Sequence, residues 1–401
     1  MGAVVGLYQS KPGYLASWAD YSLVGVTDLE LEVVDGKLVA WTVARAAGNI
    51  LAAWTIGPGS VAQIDRMTLP STVYVGVEPT LSLLDLGASS KVSVTGLTSV
   101  GVWGSSLTPA SGVTGGSSVL ASSGSTIVAS CSVLQGQTGT TYVFGFDTSG
   151  TGLLRWTVSA SGTLGAATRI SAINPEQPVA LASASYGAVS YLLALGGAEQ
   201  LLSVHRVNSD GSLVRTDQIL VSDGIGIAGA SAIEVVTLGG VSYAIVAGYG
   251  SSSISVFRIG TDGQLTCTDH IIDTLETRFA SASQLATVEM GGAVYIAASG
   301  SDDGVSILRL LPDGTLITVE TFVDSAGLGL EDIAALDLVA QGNQLTLVAA
   351  SEDAAGLTVI TLADSNPGIE LSGSASSVAL NGGSGNDLIA GGSGNETISG
   401  G

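Results

Sequence analysis

Histidine, cysteine and lysine are almost missing from this 401-residue chain, which carries two, two and three of them. With His205 and His270 the only imidazoles, the side chain most often used for acid–base work is nearly absent. No catalytic residue and no organic cofactor site can be assigned from motifs. The two cysteines, Cys131 and Cys267, fall in different repeating units. A disulfide framework is therefore not indicated, and both are expected to be small buried apolar residues. Basic residues number 12 against 34 acidic, a formal charge of −22, which excludes nucleic acid and anionic membrane surfaces as partners. No window holds about 18 consecutive apolar residues, so no transmembrane segment is expected. Met1 to Ala19 lacks a basic region followed by an apolar core, so no cleaved amino-terminal signal peptide is visible.

What the chain does have is 46% apolar residues and a repeat. Leu202-Ser203-Val204-His205-Arg206-Val207 followed by Asp210-Gly211-Ser212-Leu213 recurs as Ile254 to Ile259 with Asp262-Gly263-Gln264-Leu265. It recurs again as Val305 to Leu310 with Asp313-Gly314-Thr315-Leu316. One column reads Trp54, Trp103, Trp156, His205, Phe257, Leu308 and Ile360, with gaps of 49, 53, 49, 52, 51 and 52 residues. Between copies lie paired apolar runs joined by tight turns, as at Gly239-Gly240 and Gly291-Gly292. Double-Gly and Asp-Gly dipeptides between strand-like runs are hairpin signals, because primed turns need positive φ. Each unit thus offers four strands in about 50 residues, the size of a propeller blade.

This spacing predicts an all-β chain built as a seven-bladed β-propeller over residues 27–372, preceded by an amino-terminal lead-in, 1–26. Another bladed or all-β arrangement is the alternative; a parallel β-helix has a much shorter period. The phrase V-S-V-F-R followed by D-G-x-L resembles the lactonase-type seven-bladed propellers. That resemblance implies the fold and leaves function open, because such propellers include hydrolases, binding modules and scaffolds.

Residues 373–401 carry a second, shorter repeat. Gly382-Gly383-Ser384-Gly385-Asn386-Asp387-Leu388-Ile389-Ala390 runs into Gly391-Gly392-Ser393-Gly394-Asn395-Glu396-Thr397-Ile398-Ser399. Glycines allow close-packed turns, an apolar eighth residue points into a narrow core, and carboxylate and carbonyl oxygens suit Ca²⁺. The candidate metal residues are Gly382, Gly383, Ser384, Gly385, Asp387, Gly391, Gly392, Gly394 and Glu396. Glu396 stands where the pattern has Asp, so the second cage is expected to be looser or empty. These motifs resemble the haemolysin-type (RTX) calcium-binding repeats. The resemblance implies a short parallel β-roll, export by type I secretion without a cleaved leader, and further repeats beyond Gly401.

Other motifs have plainer readings. His205 shares its column with Trp, Phe, Leu and Ile, so it is expected to be packed and structural. His270 aligns with Gln218, which is weak support for a ligand or base. Gly224-Ile225-Gly226-Ile227-Ala228-Gly229 matches a dinucleotide-binding pattern but precedes a strand, so it reads as a connection between blades. Arg206, Arg258 and Arg309, beside Asp217, Asp269 and Glu320, read as surface ion pairs or as an anion-binding rim. Asp302-Asp303-Gly304 offers a turn that is solvated or holds a second calcium. Together these observations predict a secreted calcium-binding protein whose propeller is an extracellular binding, adhesive or surface scaffold. Its partner would be an extracellular protein, a glycan or another copy of itself. The rival is an extracellular hydrolase, lactonase-like or sugar-directed.

Overall fold

The structure, a computed structural model, describes residues 8–16, 21–34, 36–45, 50–57, 60–69, 79–85, 90–95, 102–104, 117–118, 127–135, 140–147, 152–160, 164–170, 178–196, 201–325, 328–352, 355–363, 367–372, 379–382, 386–391 and 393–400. Among them are strands and two short 3₁₀ turns, Tyr21–Leu23 and Val221–Asp223, but no α-helix. No helix is long and apolar enough to cross a membrane.

Twenty-eight strands form seven four-stranded antiparallel sheets. Their first strands are Val26–Val34, Thr80–Asp85, Ile127–Gln135, Pro178–Tyr186, Ala230–Leu238, Gln284–Met290 and Ile333–Gln341. Each lies beside the first strand of the next sheet, and Ile333–Gln341 lies beside Val26–Val34. The arrangement is β-propeller-like.

Apolar side chains fill the gaps between sheets, one cluster per neighbouring pair. Leu29, Ala40 and Trp54 of the first sheet, for instance, pack with Ala335, Val348 and Leu357 of the seventh. Both faces of a sheet are therefore covered, which is why second strands such as Ala293–Ser299 read as unbroken buried runs without alternation. The repeat column occupies matched positions on third strands. Trp54, Trp156, His205, Phe257, Leu308 and Ile360 are all buried, and Trp103 holds the same register on its strand, opposite Val92. In the first, fourth, fifth and sixth sheets the pairing to the fourth strand shifts immediately before the column residue, a recurring bulge.

Asp-Gly turns link third to fourth strands and meet the neighbouring sheet. Gly263 has φ of +79° and Gly314 of +86°, and a Cβ on either would collide with Tyr191 or Tyr243. The same tyrosines donate their hydroxyls to Thr261 and Pro312 carbonyls, at 2.8 and 3.0 Å. Glycine is required there both for the turn and for the ring beside it.

Two boundaries differ from expectation. Tyr8–Ala16 is no lead-in: it pairs antiparallel with Gly356–Ala363 as the fourth strand of the seventh sheet. Pro367–Ser372 leaves the propeller-like body and pairs in parallel with Asn386–Ala390, while Ala379–Asn381 pairs in parallel with Thr397–Ser399.

Candidate functional site: an enclosed carboxyl cluster

The first strands surround a half-open cavity of about 940 Å³. Four partly buried acidic side chains line it, Asp28 and Glu30 from the first sheet, Glu234 from the fifth and Asp337 from the seventh, with a fifth, Glu352, at an exposed position. The other described lining is mostly small or aliphatic, with Thr27, Thr80, Ser82, Ser231, Ser283 and Thr287 carrying hydroxyls and Gln284 an amide. Among the described lining residues Arg45 is the one base, and it is exposed.

The two aspartates are held by main chain. Asp28 accepts the N–H of Leu29 at 2.8 Å and, across to the second sheet, that of Leu81 at 2.7 Å. Asp337 accepts Leu338 N–H and, across to the first sheet, Leu31 N–H, each at 2.7 Å. Each thus clasps the next sheet and leaves no buried N–H unmet. Glu234 takes a long hydrogen bond from Thr287 of the sixth sheet, at 3.4 Å. Glu30 accepts none from a described residue.

Burial dominates their titration. It lifts Asp28 and Asp337 from 3.8 to about 7, against the opposing pull of the main-chain N–H groups. Glu234 rises from 4.5 to about 8 through burial and then the charge of Asp337. Glu30 is pushed well above 4.5 by burial, then by Asp337, Asp28 and Glu234. The cavity therefore gathers carboxyls that hold their protons to a higher pH than solvated ones do.

The residues singled out by the sequence lie elsewhere. His205 is buried, its Nε2 3.0 Å from Ser203 Oγ, and burial followed by Arg215 lowers it from 6.5 to about 4. His270 is exposed on a fourth strand, with Nδ1 3.0 Å from Ser255 Oγ. Neither lines the cavity. The Gly224–Gly229 segment is a connection between sheets: Gly226 O accepts hydroxyls from Ser251, Ser253 and Ser255, and Ile227 is buried. Asp217 and Asp269 do not serve as partners of an arginine ladder. Their carboxylates accept the N–H groups of Gln218 and Leu265, and of His270 and Leu316. Arg309 is buried, with its guanidinium over the Tyr295 ring. Asp302 accepts Ala280 N–H and lies 3.9 Å from Arg278. Cys267 is exposed, against expectation, because its fourth strand faces outward; the Cys131 side chain lies outside the described residues.

At the carboxyl end, from Glu370 on, the parallel pairs place residues against those eighteen positions on, Leu371 against Ile389 and Leu380 against Ile398. Gly382 N–H donates to Ser399 O. Leu380 is buried, whereas Ile398 is 53% exposed. Glu396 keeps Oε1 buried with no hydrogen-bond partner. Gly391 lies in the same turn, 3.8 Å from Glu396 Oε2 measured from the position of an added Cβ, and Gly394 is half-buried. Gly383, Ser384, Gly385, Gly392 and the Asp387 side chain lie outside the described residues. Among the described residues no three His, Cys, Asp or Glu side chains converge on a common point suited to a metal. The unpartnered Glu396 oxygen nevertheless fits a hard cation.

No protein-family model and no curated protein matches this chain. Among solved structures, a protein from Lactobacillus plantarum superposes with a TM-score of 0.53 at 15% identity, covering 79% of this chain and 96% of that one. The fold is β-propeller-like. At that identity the likeness extends to fold alone.

The cavity carboxyls were missed because the column followed was the aromatic one on third strands. Positions 30, 82, 132, 182, 234, 286 and 337 form a second column at nearly the same spacing, reading Glu, Ser, Ser, Ala, Glu, Ala, Asp. Acids flanked by Leu and Ile in a column of small residues were the available signal.

Proposed function

We propose that this chain is a secreted calcium-binding protein. In this reading seven blades close into a ring that serves as an extracellular binding, adhesive or surface scaffold, and the segment from Pro367 is a parallel β-roll ordered by Ca²⁺. The observation that carries it is the eighteen-residue parallel register, because one turn then holds two of the nine-residue units. Glycine-rich turns lose much backbone entropy on ordering, and a segment whose Ile398 stays half exposed gains little from burial. Coordination by Asp387, Glu396 and the carbonyls of Gly382–Gly385 and Gly391–Gly394 would supply the difference. The unpartnered Glu396 oxygen supports this. Export belongs to the same reading, since a net charge of −22 is well tolerated in a cation-rich medium.

The test is calcium titration of the whole chain by calorimetry and circular dichroism, with Asp387→Ala alongside. Calcium should add order, and the variant should bind at least about tenfold more weakly. Equal binding by both would overturn the reading. The enclosed carboxyls favour a second reading, an extracellular hydrolase; neither histidine joins them, and Arg45 is exposed. Turnover of a lactone or glycoside that Glu234→Gln abolishes would support it.

A further inference from the structure

The four cavity carboxyls are not equally engaged. Asp28 and Asp337 have both oxygens occupied by main-chain N–H groups. Glu234 receives only the long bond from Thr287. Glu30, deep among three other carboxyls, lines the cavity and accepts no hydrogen bond from a described residue. Both glutamates are only partly buried, so water reaches them in the cavity, and they are the two cavity carboxyls that main-chain N–H groups leave open to a ligand's donors.

The shape and chemistry of the cavity narrow its class. A single metal ion is a poor match, since among the described residues no three acidic groups converge on one point and about 940 Å³ far exceeds what an ion fills. A quaternary ammonium or a stacked sugar would call for aromatic faces, and the described lining has none. What the lining offers is separated carboxyls, hydroxyls from Thr80, Ser82 and Thr287, and aliphatic wall from Leu29, Leu83 and Leu285. A flexible aliphatic chain with two or more ammonium groups matches each part. Each ammonium has three donors to spread over acceptors, and the methylenes cover the apolar wall.

We propose that the cavity binds a small aliphatic polyamine, with Glu30 and Glu234 as its direct acceptors and Asp28 and Asp337 as fixed negative neighbours. The charged groups facing the ligand are these four, with Arg45 and Glu352 at exposed positions of the lining. Because the enclosed carboxyls hold protons near neutrality, an incoming ammonium displaces them. Binding therefore releases protons and strengthens as pH rises. Polyamine held loosely by the acidic exterior would release none, since exposed carboxylates are already ionised.

The experiment titrates spermidine into the full chain by calorimetry in about 0.15 M salt, where exterior attraction is screened. Calcium is present so that the carboxyl-terminal segment is loaded, and the titration is repeated in two buffers of different ionisation enthalpy. One saturable site is expected, with heats that differ between buffers and an affinity falling at least about tenfold from pH 8 to pH 6. Glu30→Gln with Glu234→Gln should weaken binding at least about tenfold while reducing the buffer dependence, the remainder coming from Asp28 and Asp337. Should that pair fail to fold, Glu30→Gln alone must still weaken binding. No saturable binding, or buffer-independent heats unchanged in the variants, overturns the proposal. So does proton release evoked by calcium alone and abolished by the same variants, which would mark a metal site instead.

Discussion

The ring of Tyr191 fills the space that a side chain on Gly263 would need, while its hydroxyl holds the Thr261 carbonyl two residues earlier in the same turn. One side chain thus fixes the neighbouring sheet by a hydrogen bond and by exclusion. Tyr243 repeats the arrangement at Gly314 and Pro312.

Gly263→Ala should therefore cost more than the positive φ alone, which accounts for about 1–2 kcal/mol. Gly240, at φ +80° with open space around it, is the control. Chemical denaturation should place Gly263→Ala about 1–3 kcal/mol below Gly240→Ala, from overpacking against the ring. Combined with Tyr191→Ala, the Gly263→Ala penalty should shrink. Equal penalties at both glycines would show that the ring gives way freely.

Asp337 joins the seventh sheet to the first. Asp337→Ala strands the enclosed N–H groups of Leu31 and Leu338, and each orphan costs about 1–3 kcal/mol. Asp337→Asn keeps one acceptor and should recover part of the loss. Urea unfolding of the two variants reads the difference; equal stability would mean that water replaces the carboxylate.

Protonation at the cavity sets a sign for pH. Glu234, raised from 4.5 to about 8, keeps in the folded state a proton that the unfolded chain has released. Its contribution is complete below about pH 4.5 and is lost as pH rises through 8. Melting temperature should fall across this window, and Glu234→Gln should flatten the fall. A wild-type profile as flat as the variant's would contradict the burial of this carboxyl.

His205 acts in the opposite sense. Lowered from 6.5 to about 4, it is neutral in the fold while the unfolded chain takes up a proton. That stability is present above pH 6.5 and is lost as pH falls towards 4, of the order of 3 kcal/mol in total. His205→Leu, matching the apolar company of its column, should remove this acid sensitivity without abolishing any activity the chain has. Loss of a defined rate in a folded variant would assign the imidazole a role beyond packing.

Glu396, with Oε1 buried and unpartnered, should weaken calcium binding about tenfold when changed to Gln, since an amide is a poorer ligand for a hard cation. Calcium-dependent circular dichroism would read this, and an unchanged midpoint would place the ion elsewhere.

The sheets were legible from the spacing of the aromatic column and the Asp-Gly turns, because a repeated supersecondary unit writes its period directly into the chain. The strand at Tyr8–Ala16 was not, since its partner at Gly356–Ala363 lies at the far end and no local pattern announces so distant a pairing. The roles of Asp28, Asp217, Asp269 and Asp337 were hidden for a related reason. Their partners are N–H groups of the neighbouring sheet, and an N–H carries no residue identity to read. Glu30 and Glu234 stood in view, but only alignment of first strands would have set them apart from solvated acids.

The pairing of Tyr8–Ala16 with Gly356–Ala363 also bears on how the chain is made. During synthesis the Tyr8–Ala16 strand waits, its edge unsatisfied, until Gly356–Ala363 has been made, and loop closure over that span is slow relative to local hairpins. A product truncated before Gly356 can build six of the sheets yet keeps two open edges, which invite association with other chains. The seam thus separates molecules that extend through Ala363 from shorter ones: only the former have no free edge there to offer.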